Sequence, residues 1–405
     1  MLENIEYKEY RKKNDIHGTV LYPAVMVAPI QKDIIQELIL NNDIHSVFDP
    51  FHGSGTALYE TMEIDAQMHL VGCDINPLAN LITKVKLNGV NESIYHDINK
   101  LKELINNPIE IFPYSFPNIN KWLRGDIIES IQKIRTAIMQ IDNDNNRLFF
   151  WYMLCDIIRK YSNTRSSTYK LHIKELDTIS RMENSVINDY IKNIEKHAVK
   201  FINNSTTNCI LYKCDVIDKL SSFENELFDI SITSPPYGDN ATTVPYGQFS
   251  MLALYTIDSK DLELEGWELN NYSSIDNSSL GGRKCNLHID DYEYNLIAPY
   301  LSLISIEKRK KVISFFYDYF NFLRELCRVT KQYIVLTLGN RTVDRIQIDL
   351  TTITKQYLEE NEFVNLHIAE REIPSKRTPK KTSRVKDKPV NSMNYEYIII
   401  HKRRY

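Results

Sequence analysis

The chain has 405 residues, 43% of them hydrophobic and 25% charged, which describes an ordinary soluble globular protein with one large domain and insertions, or two modest domains. A formal net charge of −4 excludes a uniformly basic nucleic-acid coat and still permits a local basic groove. No apolar run is long enough to span a bilayer, and the N-terminal stretch MLENIEYKEYRKKND lacks the apolar core of a signal peptide, so a cytoplasmic protein is expected. The six cysteines are scattered without CxxC spacing or an accompanying His cluster, so no metal site is expected.

In chain order, residues 31–40 carry a helical pattern. Ser46-Val47-Phe48-Asp49 is a short apolar run that enters the loop Asp49-Pro50-Phe51-His52-Gly53-Ser54-Gly55-Thr56. Residues 69–73 form a second such run, ending on Asp74. From 92 to 205 the pattern is largely helical, with an apolar-aromatic stretch at 148–158 and no obvious strand. Residues 209–213 lead to Asp215, and 228–233 lead to Ser234-Pro235-Pro236. The stretch 256–308 contains Gly281-Gly282, several Asn and Ser, and acidic clusters, as a long loop or lid does. A helical pattern at 312–329, a run at 333–338 and a closing strand near 395–400 complete the chain. Short apolar runs bounded by turn residues read as buried parallel strands, and their alternation with helices predicts an open α/β sheet. Ligands of such sheets bind beyond the carboxyl ends of the strands, where the chemically suggestive residues fall.

Gly53 and Gly55 permit a tight turn with close backbone approach to a ligand. A GxG alone is a geometric need of many strand–helix turns. Here Asp74 follows one strand–helix–strand unit later, placed to accept from two ribose hydroxyls, and Asp215 is placed to accept from an adenine amino group. No GxxxxGK[ST] loop is present, and Leu58 stands where the third glycine of a dinucleotide fingerprint belongs. A nucleoside ligand without a pyrophosphate fits better, and S-adenosylmethionine is one.

Thr233-Ser234-Pro235-Pro236-Tyr237-Gly238 is the most informative segment. Two prolines after a strand lock an extended backbone that cannot continue the ladder. The rigid turn suits a planar ring bearing an amino group, with Ser234 and the Pro235 carbonyl accepting from the NH2 and Tyr237 stacking on the face. The plain alternative is a proline-rich turn with a core tyrosine.

These motifs resemble the DNA amino-methyltransferases, specifically the Ser-Pro-Pro-Tyr group that modifies cytosine N4. Phe51, Gly53 and Gly55 match that family's cofactor loop, and Ser234, Pro235, Pro236 and Tyr237 match its catalytic tetrapeptide. Tyr22-Pro23-Ala24 with Pro29 resembles the segment flanking the methionine end of the cofactor. The likeness also reaches Leu338-Gly339-Asn340-Arg341-Thr342 and the closing strand. It implies a Rossmann-like methyltransferase fold, an open twisted and mostly parallel sheet with a C-terminal antiparallel strand, and S-adenosyl-L-methionine as cofactor. The cofactor set is then Tyr22, Pro23, Asp49, Phe51, Gly53, Ser54, Gly55, Thr56, Asp74, Ile75, Asp215, Val216 and Ser234.

The expected organisation is a discontinuous catalytic domain, 1–91 and 206–405. A helical insertion at 92–205 is a candidate DNA-recognition subdomain, and 256–308 forms the loop or lid. The implied reaction is direct transfer to the amino nitrogen of a flipped-out cytosine in double-stranded DNA, alone or beside a restriction endonuclease encoded nearby. Ring-carbon methylation requires a cysteine nucleophile after proline, and the sequence holds no Pro-Cys pair. Candidate DNA contacts are Arg165 and Lys170 in the insertion, Tyr246 as a pocket wall, and Lys376, Arg377, Lys380, Lys381 and Arg384. The last five lie in a run, 371–388, with eight basic residues against two acidic. Adenine N6, an RNA amino group, and a silent nucleic-acid-binding subunit are the alternatives.

Overall fold

The computed structural model describes residues 6–7, 9–108, 110–203, 207–238, 244–264, 273–280, 289–373, 381–385, 388–391 and 395–404. Helix α1 (Ala28–Asn41), strand β1 (Ser46–Asp49), α2 (Thr56–Ile64), β2 (His69–Cys73) and α3 (Pro77–Asn88) open the chain. Proline in the first turn of α1 and of α3 presets the helical φ where no N–H partner is needed. The side chain of Asn76 caps α3 by accepting from the Leu78 N–H. A run of helices follows: α4 (Ile94–Asn106), α5 (Ile119–Trp122), α6 (Gly125–Ile138), α7 (Asp144–Tyr161), α8 (Leu176–Ser180) and α9 (Val186–His197). Then come β3 (Cys209–Tyr212), α10 (Val216–Leu220), β4 (Phe228–Thr233), α11 (Tyr246–Thr256), α12 (Ser273–Asn277), α13 (Asp291–Leu303) and α14 (Ile306–Val329). The chain closes with β5 (Thr330–Gly339), β6 (Arg341–Val343), β7 (Ile346–Ile348), α15 (Leu350–Glu360), β8 (Phe363–Glu372), β9 (Lys381–Val385), β10 (Lys388–Asn391) and β11 (Tyr395–Arg403).

Seven strands form one sheet in the order β3-β2-β1-β4-β5-β11-β8. The first five run parallel, and β11 runs antiparallel to both β5 and β8. One strand therefore opposes the other six. Strand order reverses between β1 and β4, which creates the crevice where open α/β sheets bind ligands. Asp229 of β4 locks that junction by accepting from the His45 and Ser46 N–H groups at 2.9 and 3.1 Å.

Alternate side chains point to opposite faces of the sheet. Phe48, Ile334, Leu336 and Leu338 pack under α14 and α15. Val47, Ile230, Ile232, Tyr333 and Val335 pack under α1 and α2. Helices α4–α9 dominate residues 94–197, and their core, centred on Phe149, Trp151 and Tyr152, is continuous with α3 and α11. The insertion thus shares its interior with the catalytic half and is not packed as a separate body. The stretch 256–308 includes α12 and α13 and is not one long loop. Gly281 and Gly282 lie outside the described residues.

Candidate functional site

One cleft of about 1110 Å³ opens above the carboxyl ends of β1, β2, β3 and β4. The turn after β1 contributes Pro50, Phe51, His52, Gly53, Ser54 and Thr56 to its lining. Gly53 and Gly55 have φ of +51° and +71°, the left-handed region that glycine enters without steric cost. Gly55 does not itself line the cleft. A Cβ there would meet the Thr83 side chain at 2.6 Å, so this glycine lets the turn pack onto α3.

Asp74, at the end of β2, joins the two halves of the turn. One of its carboxylate oxygens accepts from Gly53 N–H at 2.9 Å and the other from Asn76 N–H at 2.8 Å. Each oxygen keeps a lone pair, and the residue faces the cleft half-buried. Burial raises its carboxyl above the ordinary value, opposed by the nearby His52 ring. Asp215 lies across the cleft after β3 and caps α10 by accepting from Ile217 N–H at 2.9 Å. Ile75 and Val216 supply apolar walls beside the two acids. Tyr22 and Pro23 line the other end. The Tyr22 hydroxyl accepts from the Asn76 amide at 3.2 Å, which fixes the N-terminal segment to the start of α3.

The turn after β4 brings Ser234, Pro235, Pro236 and Tyr237 into the same cleft. Ser234 Oγ lies 3.0 Å from the Tyr237 hydroxyl. Burial pushes the Tyr237 phenol well above its ordinary value, and the charge of Glu396 adds to this, so it stays protonated. After Tyr237, Gly238 lets the Arg341 guanidinium lie 2.5 Å from where a Cβ would stand.

One expectation among these needs correction. Asp49 does not line the cleft; it is fully buried beneath the turn, where one oxygen accepts from Phe51 N–H at 3.2 Å. Tyr246 lines the cleft and packs against Tyr22, with ring centroids 5.9 Å apart. Arg165 and Lys170 are exposed on the loop between α7 and α8, whose Tyr169 lines the cleft, and Arg165 pairs with Glu175 at 3.0 Å. Lys376, Arg377 and Lys380 lie outside the described residues. Lys381 and Arg384 belong to β9, with side chains outside what is described.

The cleft continues past Tyr237 along a wall that the motifs do not indicate. Thr337, Asn340 and Arg341 from β5 and its end, Arg371 from β8 and Glu396 from β11 line it. The segment 338–342 carried a motif-level signal. Thr337 and Glu396 carried none, because each is an ordinary alternating strand residue. A buried chain behind the turn was likewise missed. His17 Nε2 lies 2.8 Å from Glu60 Oε1, and the Lys86 ammonium lies 3.3 Å from His17 Nδ1 and donates to the Ser54 carbonyl at 2.6 Å.

The reversed-strand sheet and the glycine-and-acid cleft at its switch point define a Rossmann-like methyltransferase fold. No protein-family model matches the chain. It is 29% identical over 399 residues to the type II methyltransferase M.MvaI of Kocuria varians, covering 91% of this chain and 86% of that protein. It is 31% identical over 97 residues to the type II methyltransferase M.MjaII of Methanocaldococcus jannaschii, covering 24% of this chain and 16% of that protein. Among solved structures, the rRNA methyltransferase aviRa of Streptomyces viridochromogenes aligns over 94% of this chain and 86% of its own, at 9% identity and a TM-score of 0.29. The fold assignment rests on strand order and not on that superposition. With the similarity to the two type II enzymes, the chain is a methyltransferase dependent on S-adenosylmethionine. Two acids at neighbouring strand ends, apolar walls between them and a turn with a left-handed glycine fit that cofactor. Among the described residues no group of His, Cys, Asp or Glu is placed to hold a metal, and no helix is long and apolar enough to cross a membrane.

Proposed function

We propose that this protein methylates the exocyclic N4 amino group of cytosine in double-stranded DNA, as the modification partner of a restriction endonuclease. The observation that carries the reading is the meeting of Ser234-Pro235-Pro236-Tyr237 with Gly53 and Asp74 in one cleft at the switch between β1 and β4. Similarity to type II methyltransferases along most of the chain supports DNA as the substrate. The pocket lies at the floor of a cleft, so a base in a duplex must swing out of the stack to reach it.

S-adenosylmethionine, when bound, supplies an electrophilic methyl group on a cationic sulfur. Asp74 and Asp215 would hold its ribose and adenine, and Tyr22 and Pro23 would flank the methionine end. The base nitrogen is a poor nucleophile because its lone pair is delocalised into the ring. Ser234 Oγ, in contact with the Tyr237 hydroxyl, keeps a lone pair to accept from the amino N–H whichever of the two hydroxyls donates. The Pro235 carbonyl accepts the second N–H. Both bonds draw the nitrogen toward tetrahedral geometry and localise its lone pair toward the methyl group. Transfer leaves the nitrogen cationic and strongly acidic, and it loses one proton to solvent. Positioning and fixed dipoles supply the acceleration, with no covalent bond to the enzyme.

The test is mass spectrometry of nucleosides from unmethylated DNA incubated with the protein and S-adenosylmethionine, with total RNA alongside. N4-methylcytosine is expected in DNA. Ser234→Ala is expected to lower its rate by about 10²-fold or more while cofactor affinity holds within about twofold. N6-methyladenine instead would overturn the base assignment, and methylation of RNA alone would overturn the substrate.

A further inference from the structure

Beyond the catalytic turn, the cleft wall is built from the ends of three neighbouring strands. The register sets Gly339 of β5, Glu396 of β11 and Arg371 of β8 side by side, with Thr337 one same-face step earlier on β5, opposite Ile398. Arg371 and Thr337 are 6% and 5% exposed. The Arg371 guanidinium donates through Nη1 to Glu396 Oε2 at 3.2 Å. Its Nε–H and the Thr337 hydroxyl are buried with no partner among the described residues, and both residues line the cleft. A buried donor without an acceptor leaves its desolvation uncompensated, and such groups persist in native structures where a ligand completes them.

The missing ligand must present acceptors to this wall while its amino group faces Ser234. Cytosine does so. Next to its N4 amino group stand the N3 and O2 acceptors along one edge. Adenine offers only N1 beside its N6 amino group, and the next position is a C–H. Glu396 matters in two ways. It fixes the guanidinium plane, and it cancels the charge, so the wall acts as a directional donor and not as a trap for phosphate. Glu396, Arg371 and Thr337 line the same cleft as Ser234 and Tyr237, so the wall and the catalytic turn face one common space.

We infer that Arg371, oriented by Glu396 and assisted by the Thr337 hydroxyl, reads the N3–O2 edge of the flipped base and selects cytosine over adenine. This assignment rests on the amino-methyltransferase reading above. A site built to donate to two acceptors disfavours a ring that carries one, because the second donor is left buried and unpaired.

The experiment first maps the position methylated by the wild-type protein. Duplexes are then made with cytosine or 3-deazacytosine, which lacks the N3 acceptor, at that position. The altered nucleophilicity of the analogue is common to every enzyme tested and cancels when their kcat/KM ratios are compared. The wild-type protein is expected to prefer cytosine by about tenfold or more. Arg371→Met is expected to be slower on cytosine and to lower the cytosine-to-analogue ratio about tenfold relative to the wild type, with unchanged affinity for S-adenosylmethionine by calorimetry. Glu396→Gln is the second variant if Arg371→Met does not fold. It keeps the cation but loosens its orientation, and an intermediate preference is expected. Variants that discriminate as strongly as the wild type would overturn the assignment. A wild-type product other than N4-methylcytosine would overturn the underlying reading before any variant is compared, and the inference with it.

Discussion

At the scale of single residues, the acids around the glycine turn differ in what burial makes of them. Asp49 is sealed beneath the turn, with one oxygen accepting from Phe51 N–H and the other without a partner among the described residues. Burial raises its carboxyl from 3.8 to about 7, opposed by hydrogen bonds from Thr233 and Phe51. Because the folded value lies above the unfolded one, the native state binds the extra proton between those limits. Stability is therefore present below pH 3.8 and is lost as pH rises through about 7. Asp49→Asn removes that titration. Its melting temperature relative to wild type is expected to be higher at pH 8 than at pH 5, and a gap that does not change with pH would refute the assignment. The motif drew attention to Asp49 together with Asp74. Only the packing separates a residue that supports the turn from one that faces the ligand.

At the scale of elements, the glycine turn is held from behind by groups far apart in sequence. Lys86 of α3 donates to the Ser54 carbonyl, while His17 from the N-terminal segment bridges Lys86 and Glu60 of α2. All three are buried. Burial lowers the Lys86 ammonium and the His17 ring and raises the Glu60 carboxyl, so each is driven toward its neutral form. Lys86→Met leaves the Ser54 carbonyl and His17 Nδ1 without their Lys86 contact and is expected to cost about 1–3 kcal/mol. Urea denaturation should show this as a lower midpoint with an unchanged m value, and a wild-type midpoint would show that the contact is dispensable. The β6–β7 hairpin shows another limit of reading by motif. Its turn residues, Asp344 and Arg345, have φ of +48° and +70°, where Asn-Gly or Asp-Gly is the usual signal. Arg at such a position hides the hairpin from sequence. Asp344 anchors the turn by accepting from Ser305 N–H, at the start of α14, at 3.0 Å.

At the scale of the whole molecule, the helical stretch between β2 and β3 decides how the protein unfolds. Its apolar residues, among them Ile98, Ile131 and Trp151, share one core with Leu81, Ile82 and Val85 of α3 and with Leu252 and Leu254 of α11. Cutting at the expected boundary near residue 92 would expose that shared surface. A single cooperative transition is therefore expected in scanning calorimetry, with the calorimetric and van't Hoff enthalpies equal. Two resolved transitions would establish the insertion as an independent domain.

The sequence by itself determined the strands that carry chemistry. Ser46–Asp49, His69–Cys73 and Phe228–Thr233 are short, apolar and bounded by turn residues, and local pattern is enough to define such segments. It also determined the composition of the two loops, because tight turns and rigid prolines are demands on residue type. The tertiary structure alone decided which strand lies beside which, and through that the juxtaposition of β5, β11 and β8. Glu396 and Arg371 are 25 residues apart in the chain, and Thr337 is 34 residues before Arg371. No local signal relates them, since cross-strand neighbours are chosen by pairing in the folded sheet. Burial was decided there as well. It moves Asp49 under the turn, sets Tyr246 against Tyr22 and leaves the Arg371 Nε–H without a partner among the described residues, all as consequences of what packs above each residue.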